Sequence, residues 1–305
     1  MSTESSTATE VLIIGGSYAG LAAAMSLGRA LRRVVVLDSG LPCNRQTPHA
    51  HNFLTQDGET PAAIRARGRA QVLAYPTVSL VADTAVAATR QGPDFVVTTA
   101  AGTTITACKL LFATGVADEL PALPGFAECW GISVLHCPYC HGYEVHGQPL
   151  GVLGNGDTGF EFARLIRHWT PQLTLFTNGP ATFNPEQQRQ LGAAGVTVEQ
   201  DQLTALEHEV GQLRQVHLSG GRPRALAALF AHVPFRQHCA LPAALGCALT
   251  EAGHVQVDEL QKTSVPGVYA AGDATTPLRA VAAAVAAGTK AGAFVNHELL
   301  RELAW

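Results

Sequence analysis

An α/β fold containing two strand–turn–helix units is predicted by three observations on this 305-residue chain. The apolar run Val11–Ile14 is followed by a glycine-rich turn and a helix-like stretch. The same order returns at Leu150–Leu153, and each helix-like stretch leads into a further short apolar run, at Val34–Leu37 and at Leu173–Phe176. Alternating buried strands and helices build a parallel sheet with helices on its faces. With 47% of its residues hydrophobic, the chain has enough apolar surface for a sizeable core, and its length allows about two domains.

The first turn reads Gly15, Gly16, Ser17 and then Gly20, ahead of a helix predicted over Leu21–Leu31. The strand after it ends on Asp38, 18 positions beyond Gly20. A strand, a glycine turn, a helix and a strand-end acid form the arrangement of a dinucleotide site, in which glycines let the backbone approach a pyrophosphate at a helix N-terminus. Ser17 stands where the middle glycine of that pattern falls. The plainer reading is a strand-to-helix turn whose glycines serve geometry alone. The Asp38 carboxylate would accept hydrogen bonds from a free ribose 2'-hydroxyl and repel a 2'-phosphate, which suits FAD or NAD and not NADP.

The second turn keeps all three glycines, Gly154, Gly156 and Gly159, with Asp157 and Thr158 inside it and a helix predicted over Phe160–His168. The position equivalent to Asp38 is Thr177, followed by Asn178 and Gly179. Neither the acid that selects NAD nor an arginine cluster for NADP is present, so the nucleotide of this second site stays open between NADPH and NADH. Arg164, Arg167 and His168 on the intervening helix either approach a phosphate or are simply solvated. A third glycine site follows the apolar strand Gly267–Ala271, with Gly272 and Asp273 ahead of a long helix beginning near Arg279. An acid at that place meets a ligand at a strand end or caps a helix.

Between the two halves lies His136-Cys137-Pro138-Tyr139-Cys140-His141-Gly142. Thiols at this spacing close a small disulfide ring. A redox dithiol needs one sulfur to attack the substrate and a second to resolve the mixed disulfide. His136 and His141 titrate near neutral pH, and either can exchange protons with the pair, His141 being the first choice. Zinc is the rival reading of two cysteines and two histidines, but four ligands within six consecutive residues would strain a tetrahedral site and no second CxxC or HxxxH is found. The other cysteines, Cys43, Cys108, Cys129, Cys239 and Cys247, have no paired spacing and read as buried small apolar residues.

Composition narrows the classes further. A net charge of −4 with scattered charges offers no basic stripe for nucleic acid and no patch for an anionic membrane. The run Ala280–Val295 is interrupted by Gly288, Thr289, Lys290 and Gly292, which makes it a packed helix and not a membrane span. The polar start Met1–Glu10 lacks the features of a signal peptide, and seven irregularly spaced cysteines are not a secreted disulfide framework, so a cytoplasmic location is expected.

In this order, Gly15–Gly20, Asn52, Ala113-Thr114-Gly115, Cys137–Cys140, Gly154–Gly159 and Gly272, Asp273 and Arg279 resemble the low-molecular-weight thioredoxin reductase family over essentially the whole chain. The resemblance implies two Rossmann-like dinucleotide-binding domains, the second inserted into the first. Residues 1–119 and 238–305 would form the FAD domain, and residues 120–237 the nicotinamide-nucleotide domain carrying CxxC. It implies FAD contacts from Gly15, Gly16, Ser17, Gly20, Asp38, Asn52, Thr114, Gly115, Gly272, Asp273, Arg279, Ala280 and Val281, and nucleotide contacts from Gly154, Gly156, Asp157, Thr158 and Gly159. Asp273 thereby becomes a flavin residue in place of a cap. It further implies a homodimer in which electrons pass from NADPH or NADH to FAD and through Cys140 to Cys137, which meets the substrate.

Three departures bear on this. Phe176-Thr177-Asn178 replaces the family's basic motif. Arg279-Ala280-Val281 stands where RQA is usual, leaving backbone donors near the flavin. His141 replaces the acid that usually follows CxxC, and HCPYCHGYE is closer to the dithiol oxidases of gliotoxin and holomycin type, which form disulfides and reoxidise flavin with oxygen. The leading expectation is a flavoprotein reducing a small-molecule disulfide or that of a thioredoxin-like protein. An oxygen-dependent dithiol oxidase is the alternative, and a non-catalytic redox sensor on the same scaffold is a third.

Overall fold

A computed structural model describes residues 9–303, so most of the polar segment Met1–Glu10 lies outside the described residues. In chain order, the first stretch holds β1 (Thr9–Ile14), α1 (Tyr18–Arg29), β2 (Val34–Leu37), α2 (Pro61–Leu73), β3 (Val78–Val81), β4 (Ala85–Gln91), β5 (Asp94–Thr99), β6 (Thr104–Phe112) and β7 (Val116–Asp118). The middle holds α3 (Phe126–Cys129), β8 (Val134–Leu135), α4 (Pro138–His141), β9 (Leu150–Leu153), α5 (Gly156–Ile166), β10 (Leu173–Phe176), α6 (Pro185–Ala193), β11 (Thr197–Glu199), β12 (Leu203–Glu209), β13 (Gln212–Leu218), β14 (Arg224–Ala225), β15 (Ala228–Ala231) and β16 (Phe235–Gln237). The last stretch holds α7 (Leu241–Ala244), β17 (Val268–Ala270), a 3-10 turn at Gly272–Ala274 and α8 (Val281–Arg301).

Two compact units result. One comprises the described residues up to Arg45, Asn52–Ala117 and the chain from Arg236 onward; the other comprises Gln46–His51 and Asp118–Phe235. The chain passes between them at β7 and returns at β16, two strands that form a small sheet of their own.

In the first unit β3, β2, β1 and β6 run parallel, β17 adds in parallel to β6, and β5 and β4 continue the sheet antiparallel. Alternate β1 residues face opposite sides, as a pleated strand requires. Val11 and Ile13 enter a core with Leu27 and Val295, while Leu12 and Ile14 enter one with Phe95 and Phe112. The Ala-rich run predicted as a packed helix is α8, which lies on α1. A Cβ at Gly288 would collide with the Ala19 carbonyl, and one at Gly292 would sit 2.7 Å from the Ala23 oxygen, so the two helix backbones touch. Beneath α8, Glu298 accepts from Lys109 at 2.9 Å, Lys262 at 2.5 Å and the Tyr269 hydroxyl at 2.8 Å. Burial pushes that carboxyl up, but these hydrogen bonds outweigh it and hold it at about 2.

The second unit has a fully parallel sheet ordered β11-β10-β9-β15-β8 and an antiparallel sheet β12-β13-β14. Phe126, Leu206, Val216 and Leu229 share one core, and Val152, Phe162, Ile166 and Phe230 share another.

Helix boundaries differ from expectation at the glycine turns. α1 begins at Tyr18 and α5 at Gly156, not at Leu21 and Phe160, because the last glycine of each turn lies in the first helical turn. α1 stops at Arg29, and Leu31 follows in the left-handed conformation at φ 61°. α8 begins at Val281, two residues later than Arg279. No described helix is long and apolar enough to cross a membrane.

Candidate redox and cofactor sites

The first turn is a cradle that only glycines can form. A Cβ at Gly15 would strike the Ala113 carbonyl, and one at Gly20 would strike the carbonyl of Gly15. Asp38 is brought over this turn, where a Cβ at Gly16 would lie 2.7 Å from that of Asp38, and its Oδ1 accepts the Gly40 N–H at 3.1 Å. Ser17 is the N-cap residue of α1 and makes no side-chain cap bond. Thr114, next to the Ala113 carbonyl, buries its hydroxyl oxygen without a hydrogen-bond partner among the described residues. Gly115 follows at φ 64°. Asn52 is left-handed at φ 60°, with its N–H given to Asp57 Oδ1 at 2.7 Å.

Asp273 sits in the 3-10 turn, 3.8 Å from Arg279 Nε and 3.7 Å from the Cys43 sulfur. The cap of α8 is Ala280, which makes no side-chain cap bond, so Asp273 does not cap that helix. Val281 is the first helical residue, and the leading N–H groups of α8 lack intrahelical partners by construction. A backbone cradle, an acid beside it and an orphaned buried hydroxyl are what a flavin dinucleotide needs, and the residues fit FAD.

The second turn keeps the backbone approach, since a Cβ at Gly159 would lie 2.5 Å from the Gly154 carbonyl carbon. Its mouth is tied to the loop after β10. Asn155 Oδ1 accepts from Gly156 N at 2.8 Å, Thr182 N at 2.9 Å and Thr182 Oγ1 at 3.1 Å, while its amide nitrogen donates to Pro180 O at 2.9 Å. A Cβ at Gly156, whose φ is 56°, would lie 3.2 Å from Thr182 Oγ1. Asp157 accepts from Gln187 at 2.7 Å, and Thr158 is exposed. Thr177 is buried and donates to Gly179 O at 2.6 Å. Arg167 donates to the carbonyls of Ala194 and Thr170, each at 2.9 Å, and Arg164 pairs with Glu161 at 3.5 Å, so neither arginine is directed at the turn. The residues here fit a nicotinamide nucleotide less well than those of the first turn fit FAD.

The dithiol follows β8. Cys137 is the N-cap of α4, Pro138 takes the first helical position that proline prefers, and Cys140 and His141 close the single turn. Both cysteines are half-buried. The helix ends at Gly142, where a Cβ would lie 2.8 Å from Trp169 Nε1, and Tyr139 packs edge-on against Trp169 at 5.7 Å. His136 stacks on Trp130 at 6.0 Å, and Trp130 donates its indole N–H to Asp118 at 3.1 Å. His141 instead lines a cavity of about 640 Å³ together with Leu135, Ile132, Leu213 and Leu226. Burial pushes the His141 imidazole below its ordinary value, Glu144 opposes this and His51 adds to it.

His49, His51 and Glu144 line the same cavity and were missed by sequence reasoning. The two histidines lie far from CxxC along the chain, and only the closeness of Glu144 to it offered a local signal. Among the described residues no group of three or more metal-ligating side chains stands together. Of the unpaired-spacing cysteines, Cys129 and Cys247 are buried, Cys108 and Cys239 are half-buried, and Cys43 is exposed. Cys43 corrects the expectation of a buried apolar residue, because its sulfur is directed to the Asp273 carboxylate.

Two glycine-turn units and a cysteine pair on one chain define a flavoprotein that moves electrons between thiols and disulfides. The profile of the pyridine nucleotide-disulphide oxidoreductase family matches residues 9–288. The thioredoxin reductase sirT of Leptosphaeria maculans is 34% identical over 320 residues, covering 95% of this chain and 94% of its own. The thioredoxin reductase tcpT of Claviceps purpurea is 32% identical, covering 96% and 95%. Among solved structures, an oxidoreductase from Agrobacterium tumefaciens superposes with a TM-score of 0.91 at 37% identity, covering 97% of this chain and all of that one. HlmI superposes with a TM-score of 0.92 at 36% identity, covering 97% and 94%. The chain belongs to the pyridine nucleotide-disulphide oxidoreductase family. It is an FAD-dependent disulfide oxidoreductase with two Rossmann-like domains, of a family whose cofactors are FAD and NAD(P)H.

Proposed function

We propose that the chain oxidises small dithiols to disulfides, with Cys137 and Cys140 as the exchanging pair and His141 as general base. The observation that carries this reading is His141, adjacent to Cys140 and held below its ordinary pKa chiefly by burial. An imidazole neutral at physiological pH accepts a thiol proton, which dithiol oxidation requires. A substrate thiol gives its proton to His141 and attacks the Cys137 sulfur of the oxidised pair, releasing Cys140. The second substrate thiol then displaces Cys137, leaving a substrate disulfide and a reduced pair. The first-turn residues would hold FAD, which would supply a two-electron acceptor for the reduced pair, with dioxygen as the terminal oxidant.

A small molecule is favoured over a protein surface because His141 opens on a cavity of small-ligand size walled by Ile132, Leu135, Leu213 and Leu226, with Cys137 and Cys140 outside that wall. The ties from Asn155 to Thr182 at the second turn favour electrons arriving from the substrate. The reductive direction, from NAD(P)H to a disulfide, is the second reading. It is supported by the intact glycine approach of Gly154 and Gly159 and by relatives named thioredoxin reductase. In this reading FAD is held by the first unit and the nicotinamide nucleotide by the second, in a cytoplasmic homodimer whose mass light scattering would test.

Oxygen consumption with a small dithiol, alongside anaerobic titration with NADPH and NADH, separates the readings. Oxygen uptake with a flavin that neither nucleotide bleaches is the expected result. Rapid bleaching by either nucleotide, with no oxygen uptake on dithiol, would establish the reductive direction. No turnover in either assay would leave the redox sensor.

A further inference from the structure

Residues far apart in sequence converge at the end of the cavity that His141 lines. His51 arrives on Gln46–His51, the only stretch before Asp118 among the described residues that belongs to the second unit. Its Nε2 lies 3.4 Å from Glu144 Oε1, and its ring stands edge-on to that of His141, with centroids 6.3 Å apart and planes at 86°. His49 follows at 6.4 Å from His51, and all four side chains line the cavity. The remaining charged group on its wall, Arg214, is paired with Glu209 at 2.7 Å.

An isolated, partly exposed ion pair contributes little to stability. The His51–Glu144 contact lies beside His141 on the wall of the same cavity. A carboxylate that accepts from one nitrogen of a histidine fixes the orientation and tautomer of that ring. Ring centroids near 6 Å leave room for one bridging water between the two imidazoles.

We propose that Glu144 and His51 are positioning residues for His141: Glu144 holds the His51 ring edge-on to His141, and His51 takes over the proton that His141 accepts from the substrate thiol. This rests on the reading of His141 as the base. No covalent bond changes in the relay; one proton passes from His141 to His51 for each thiol ionised. The two residues bias the imidazolium of His141 in opposite senses, Glu144 favouring it and His51 disfavouring it.

The test uses the full-length flavoprotein, with flavin absorbance confirming that each variant holds its cofactor. The imidazole titration of His141 is followed by NMR, and the pH profile of kcat/KM is measured with dithiothreitol as the dithiol. Glu144→Gln is expected to move the His141 titration and the acid limb of the profile down by about half a pH unit, and His51→Gln to move both up by about as much, the effect of a unit charge near 6 Å in a largely aqueous dielectric. In both variants kcat falls roughly tenfold, part of the full contribution of acid–base catalysis, with KM unchanged. Titrations that stay at the wild-type position, or that move together, overturn the proposal. His141→Asn separates the two levels. If it leaves the acid limb in place, the base assignment itself has failed; if it removes the limb while the other two variants leave it unmoved, only the relay has failed.

Discussion

His136 and His141 flank the same cysteine pair, yet their surroundings differ. His136 lies in a row of aromatic rings, stacked on Trp130, which itself stacks on Phe126 at 5.8 Å. Its ring is engaged in packing, whereas His141 lines a cavity and has a pKa lowered chiefly by burial. We expect His141→Asn to lower dithiol turnover roughly a hundredfold, the usual range for loss of a general base, and His136→Asn to act mainly on thermal stability. Steady-state rates and melting temperatures of the two variants check this. The cysteines themselves do chemistry and do not hold cofactor, so Cys137→Ser and Cys140→Ser should each abolish disulfide exchange and keep the flavin spectrum. A variant that loses its flavin would contradict that division. The place of His51 beside His141 is of another kind, because it depends on Gln46–His51 packing with the second unit and has no signature in local spacing, whereas Glu144 lies three residues from His141.

The secondary elements most legible in the sequence are those whose geometry is set within a few residues. β1, β2, β9 and β10 fall where the apolar runs predict them, because a strand buried on both faces reads as a continuous apolar stretch. α1 and α5 start several residues earlier than periodicity predicts, since glycine argues against helix by propensity and yet Gly20 and Gly159 lie within helices to permit close packing. β12, β13 and β14 and the single turn of α4 carry short or mixed patterns that tertiary contacts decide. The α1–α8 contact provides a test at this scale. Gly288→Ala introduces a Cβ against the Ala19 carbonyl, and forcing these helices apart should cost about 1–3 kcal/mol in denaturant unfolding. Because α1 begins at the first glycine turn, flavin content should fall with it. A variant as stable as the parent would show that the helices part without strain.

Across the first unit, stability at low pH is tied to Glu298. Its carboxyl is held at about 2 in the folded chain against an ordinary value of 4.5, so its contribution is complete above about 4.5 and is lost as pH falls toward 2. Glu298→Gln should lose about 2 kcal/mol at pH 7, since it breaks a largely buried ion-pair cluster while Glu302 still faces Lys109 at 2.5 Å. The gap from the parent should narrow between pH 4.5 and 2, and a gap constant across that window in thermal melts would exclude this role. Discontinuity of the first unit has a further consequence, for biosynthesis. Its sheet lacks β17, and α1 lacks its packing partner α8, until the last stretch of chain has left the ribosome. The parallel sheet of the second unit, by contrast, is complete once β15 has emerged. Nascent chains that end shortly after Phe235 should therefore hold a protease-resistant central unit and an unfinished first one that depends on chaperones, reversing the usual N-to-C order of domain folding.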